Sequence, residues 1–65
     1  MPAGGARDVI FEYVIQGAYM RVAAIDVATG IEAVTLGPAN AARNDLEALA
    51  LRKLNHLLAQ HQQQQ

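Results

Sequence analysis

Apolar positions alternate with polar or small ones over three short stretches, then recur every three or four residues over a fourth. That pattern predicts three β-strands followed by one helix, because side chains alternate faces along a strand and return to one face every 3.6 residues in a helix. The strands are expected at about residues 8–16, 19–26 and 31–36, and the helix at about 45–60. The fold class is then α+β: a three-stranded antiparallel β-meander packed on one face by a C-terminal helix, βββα.

The turns set the expected register. Gln16-Gly17-Ala18-Tyr19 places glycine at the first central position of a two-residue loop, where a type II′ turn needs positive φ. Asp26-Val27-Ala28-Thr29-Gly30 has the pattern of a type I turn followed by a left-handed glycine, with the Asp26 side chain able to cap it. On this reading Ile15 opposes Met20, Tyr13 opposes Val22, and Ile25 opposes Ile31. One face then carries Val9, Phe11, Tyr13, Ile15, Met20, Val22, Ala24, Val34 and Leu36, with Glu32 among them, and is the expected core. The other carries Ile10, Glu12, Val14, Gln16, Tyr19, Arg21, Ala23, Ile25, Ile31, Ala33 and Thr35, and is more apolar than a solvent face requires.

Gly37-Pro38 ends the third strand, since proline cannot donate to a ladder and biases its predecessor to an extended conformation. Asn44, followed by Asp45 and Glu47, is close to a capping box with Asn in place of Ser or Thr, and its acidic first turn suits the positive end of the helix dipole. Asn40 is a rival start, because Ala41 and Ala42 favour helix. At 100° per residue, Leu49, Leu46, Leu57, Ala50, Leu54, Leu58 and Leu51 spread in that order over an arc of roughly 200°, where packing on one sheet needs a little over 100°. The helix has more leucine than its own sheet can cover. Leu51 and Leu58 at one edge of the arc, with Leu54 beside them, are the candidate self-association residues.

Size sharpens that expectation. A chain of 65 residues forms one domain and buries only about 60% of the surface its unfolded form exposes. With no cysteine there is no disulfide or thiolate metal site to staple it, which leaves oligomerisation, most simply a symmetric dimer. Five Lys plus Arg against six Asp plus Glu, a net charge of −1, give no electrostatic footprint for nucleic acid or anionic lipid. Met1 to Arg7 lacks the apolar run of a signal peptide or membrane span, so a cytoplasmic location and a disordered arm at 1–7 are expected. The domain proper is expected at 8–60, and 61–65 reads as a disordered glutamine-rich tail.

Candidate chemistry is sparse. His56 and His61 are about 140° apart on a helix and cannot share an ion as an i, i+4 pair would. Asp26 and Asp45 have structural roles in a turn and at a helix start. Serine and cysteine are both absent, so nucleophile and base arrangements lack material. No catalytic, cofactor-binding or metal-binding residue is assigned, and no cofactor. Gly37-Pro38 before a helix start offers free N–H groups to an anion, without the glycine-rich loop or lysine that would make a phosphate site. Glu12 and Arg21 fall on one sheet face on paired strands, where they can form a cross-strand ion pair; with Tyr19 they are the candidate open-face binding residues.

Glu12, Ala24-Ile25-Asp26, Thr29-Gly30, Gly37-Pro38 and Leu49-Ala50-Leu51-Arg52-Lys53-Leu54 resemble a group of very short uncharacterised bacterial proteins, chiefly alphaproteobacterial. The resemblance covers about residues 8 to 58 and implies a small free-standing protein. It lends no activity and no active residues. Two readings of function follow from the residues: a non-enzymatic homo-oligomer that binds another protein, or a weak ligand or single-stranded nucleic-acid binder using the open sheet face.

Overall fold

β-branched and aromatic residues dominate the first strand, β1 (Val9–Gln16), and recur in β2 (Tyr19–Asp26), while a shorter run builds β3 (Glu32–Pro38). The three form one antiparallel sheet in the order β1-β2-β3, and the helix α1 (Arg43–Gln63) follows. The architecture is thus the expected βββα. The computed structural model describes residues 8–63; the expected arm at 1–7 and the last two residues of the expected tail lie outside that range. The helix continues to Gln63, three residues into the segment read as tail.

The first hairpin matches its turn chemistry. Gly17 has φ 59°, the positive φ that the first central position of a type II′ turn requires. Ile15 pairs with Met20 and Tyr13 with Val22, as expected.

The second hairpin corrects the expected register. Ile25 pairs with Glu32, not Ile31. The Asp26 N–H donates to the Ile31 carbonyl at 2.9 Å, so Asp26 stays in the ladder and the loop holds Val27 to Gly30. Gly30, at φ 76°, donates to the Asp26 carbonyl at 2.8 Å and so lies inside the loop, not opposite Asp26 in the ladder. The slip of one residue turns every side chain of β3 over. Ala33 lies in the core cluster with Ile31 packed against it, whereas Glu32, Val34 and Leu36 share the face that carries Ile10, Glu12, Val14, Tyr19 and Arg21.

Small residues make this the better solution. α1 lies over β2 and β3, and the side chains beneath it include Ala24 and Ala33, both buried, while Gly37 on β3 meets Leu46 of the helix. A Cβ on Gly37 would lie 2.7 Å from Leu46 Cδ2, so the missing side chain is what seats the first buried leucine of the helix. The opposite register would also place the Glu32 carboxylate under the helix, at a large desolvation cost.

The buried stripe of α1 is Leu46, Ala50, Leu54 and Leu58, with Leu57 packed alongside. The helix starts at Arg43, between the two expected starts, and the Ala42 carbonyl accepts from Asp45 N–H at 3.1 Å and Leu46 N–H at 3.4 Å. Asn44 is therefore the second helical residue and not the cap. Arg43 sits at the positive end of the helix dipole, an unfavourable place for a cation. Its guanidinium lies 4.5 Å from the centroid of the Tyr13 ring, a contact worth about 0.5–1 kcal/mol at such a site.

Candidate functional site

The face of the sheet opposite the helix carries the exposed apolar surface. Ile10, Val14, Tyr19 and Leu36 all project there, with Tyr19 64% and Leu36 66% exposed. Val34 and Ile25 are half-buried between them. Ala23 at the centre has no exposed surface yet stands outside the helix-facing cluster, so its cover comes from open-face neighbours.

Three charged groups share this face: Glu12, Arg21 and Glu32. Arg21 Nη2 donates to Glu32 Oε2 at 3.5 Å, with both side chains about two-fifths exposed (42% and 41%). A pair so solvated contributes less than about 1 kcal/mol. Its geometric effect is larger, because the long arginine stem must run along the sheet to reach a residue four positions beyond its own partner, Leu36. In the ladder Glu12 pairs with Ala23, and Arg21 with Val14. The expected open-face residues Glu12, Tyr19 and Arg21 therefore do share one face, but the guanidinium is held by Glu32.

The helix-edge candidates separate. Leu54 and Leu58 are buried in the chain's own core, at 0% and 5% exposure, whereas Leu51 is exposed. Leu54 and Leu58 thus complete the fold and are not available to a second subunit. Leu49 and Leu51, the two ends of the leucine arc, are the residues left over. On one flank, Lys53 Nζ donates to the Val34 carbonyl at 2.9 Å. Leu51 projects about 160° away from Lys53 around the helix, on the flank nearer β1.

Val34, Leu36 and Glu32 are the open-face residues that pattern reasoning missed. Counting bulky apolar side chains favoured putting Val34 and Leu36 inward. The signal that points the other way is the series Ala24, Ala33 and Gly37, small residues that let a helix approach a sheet closely.

Among the described residues no three or more His, Asp or Glu side chains are grouped to hold a metal ion, and His56 and His61 are both exposed. No described helix is long and apolar enough to cross a membrane. Among the described residues the buried polar side chain is Asp26, whose Oδ2 accepts from the Thr29 N–H at 3.0 Å and the Thr29 hydroxyl at 2.7 Å, bonds that close the turn.

No curated protein and no solved structure matches the chain. Residues 6–61 match the family described as Domain of unknown function (DUF6898), and the chain belongs to that family.

Proposed function

We propose that this protein is a small non-enzymatic homo-oligomer that serves as a protein-interaction module, with the open face of its sheet as the contact surface. The observation behind this reading is the group of exposed apolar side chains, Ile10, Val14, Tyr19 and Leu36, on the face opposite the helix. A contiguous patch of this kind on a small chain marks an interaction site, because leaving it in water forgoes roughly 25 cal/mol per Å² of apolar area. Two carboxylates against one guanidinium, itself held by Glu32, give the face a sign that repels phosphate, so a protein surface fits it better than a nucleic acid. The resemblance of the motifs to short alphaproteobacterial proteins goes with a bacterial, cytoplasmic setting for this role.

The test uses the full chain and a Tyr19→Glu/Leu36→Glu variant as parallel baits in an extract of the source cells. Both side chains are mostly exposed, so the variant should keep the parent's stability to within about 0.5 kcal/mol. The parent should retain a partner that the variant loses. Equal retention by both, or none by the parent, would overturn the open-face reading.

A further inference from the structure

We infer that the β1 edge docks a second copy of this chain, joining two sheets into one of six strands with Tyr13 at the two-fold axis. This rests on the homo-oligomeric reading above and specifies which surface carries it.

The two edges of the sheet are built differently. The Val27 N–H donates to the Asp8 carbonyl at 3.0 Å, continuing the β1–β2 ladder. Bonds to a neighbouring strand alternate along an antiparallel pair, so the even-numbered residues of β1 bond to β2, and the N–H and C=O groups of Val9, Phe11, Tyr13 and Ile15 point to the free edge. On β3 the bond between Asp26 and Ile31 fixes the opposite parity, and the outward groups belong to Glu32, Val34, Leu36 and Pro38. That edge is guarded: the Lys53 ammonium sits on the Val34 carbonyl, and Pro38 has no N–H. β1 has no lysine, no proline and an unbroken register with β2, and Glu12 is its one charged residue, so it is far less guarded against strand addition than β3.

Side chains tell the same story. Because α1 lies over β2 and β3, Phe11 and Tyr13 on the helix side of β1 are only half-buried, and Ile15 is 59% exposed. A strand laid along β1 would cover them.

The occupant that fits is β1 itself. Antiparallel self-pairing about an axis normal to the sheet keeps both helices on one side and sets residues of equal parity opposite each other. Centring on Glu12 would put two carboxylates in the close, directly opposed pair, which is destabilising. Centring on Phe11 sets Ile15 opposite position 7, beyond the end of β1. Centring on Tyr13 sets Phe11 against the second copy's Ile15 and Glu12 against its Val14. That register keeps the two Glu12 carboxylates apart, each beside an apolar Val14.

Size argues the same way. Three strands at about 4.8 Å spacing and seven residues at about 3.4 Å give one open face a projected area of roughly 340 Å². Two such faces side by side make one apolar platform of twice that extent.

The experiment is amide hydrogen exchange by NMR on the full chain at high and low concentration, with solution mass measured in parallel. Slow exchange at Phe11, Tyr13 and Ile15, lost on dilution as the mass halves, is the expected result. Ile15→Pro removes an N–H that the single chain does not use, so it should stay folded at half the parent's mass; Ile15→Lys, which puts a guarding charge on the edge at a mostly exposed position, should do the same. A dimer whose three outward amides exchange freely would overturn the edge while leaving self-association standing. A monomer at every concentration would overturn the edge and the homo-oligomer together, whatever the bait experiment returns.

Discussion

Asp26 has no exposed surface, and its carboxylate receives both the N–H and the hydroxyl of Thr29, while the Thr29 hydroxyl oxygen accepts from the Ile31 N–H at 3.1 Å. These bonds close the loop that decides which way β3 faces, so one side chain governs whether Leu36 is inside or outside. Asp26→Ala removes the acceptor for both Thr29 bonds, each worth about 1–1.5 kcal/mol net. A loss of about 2–3 kcal/mol is expected in urea denaturation, a large share of the roughly 3–10 kcal/mol that a chain this size has in total; a variant with the parent's midpoint would show that the loop closes without it. The turn residues Gly17, Asp26 and Gly30 were legible in the sequence because turn chemistry is local. The loop length was not, since a glycine with positive φ serves equally well as the last loop residue or as the residue opposite Asp26, and only packing against the helix separates those cases.

At the scale of elements, the strands and the helix were legible because their periods of 2 and 3.6 are unlike and each is sustained over several residues. The surplus of leucine in α1 was legible too, and the structure distributes it: the middle of the arc is buried and its two ends, Leu49 and Leu51, are exposed. What the helical wheel could not supply was the position of the helix over β2 and β3, which makes Leu58 core and Leu51 surface although they lie about 20° apart in projection. The two should therefore behave differently. Leu58→Glu buries a carboxylate in the core and should cost about 3 kcal/mol or more, whereas Leu51→Glu should shift stability by no more than about 0.5–1 kcal/mol. Paired thermal melts check this, and equal losses at both positions would contradict the placement of the helix. Gly37 belongs to the same scale: read from the sequence as a strand terminator, it is also where Leu46 seats, a role that depends on a contact nine residues away.

For the whole molecule, the two sides of the sheet have different tasks. One is closed by α1 over a small core of Met20, Val22, Ala24, Ala33 and the helix leucines; the other keeps its apolar side chains in water. Such an arrangement leaves a 65-residue chain marginal as a monomer, with no disulfide to compensate. Self-association would relieve this, and static light scattering across a concentration series reads it out. A particle of twice the 7.0 kDa chain mass that dissociates only on dilution is expected; a folded particle of one chain mass throughout the series would rule self-association out.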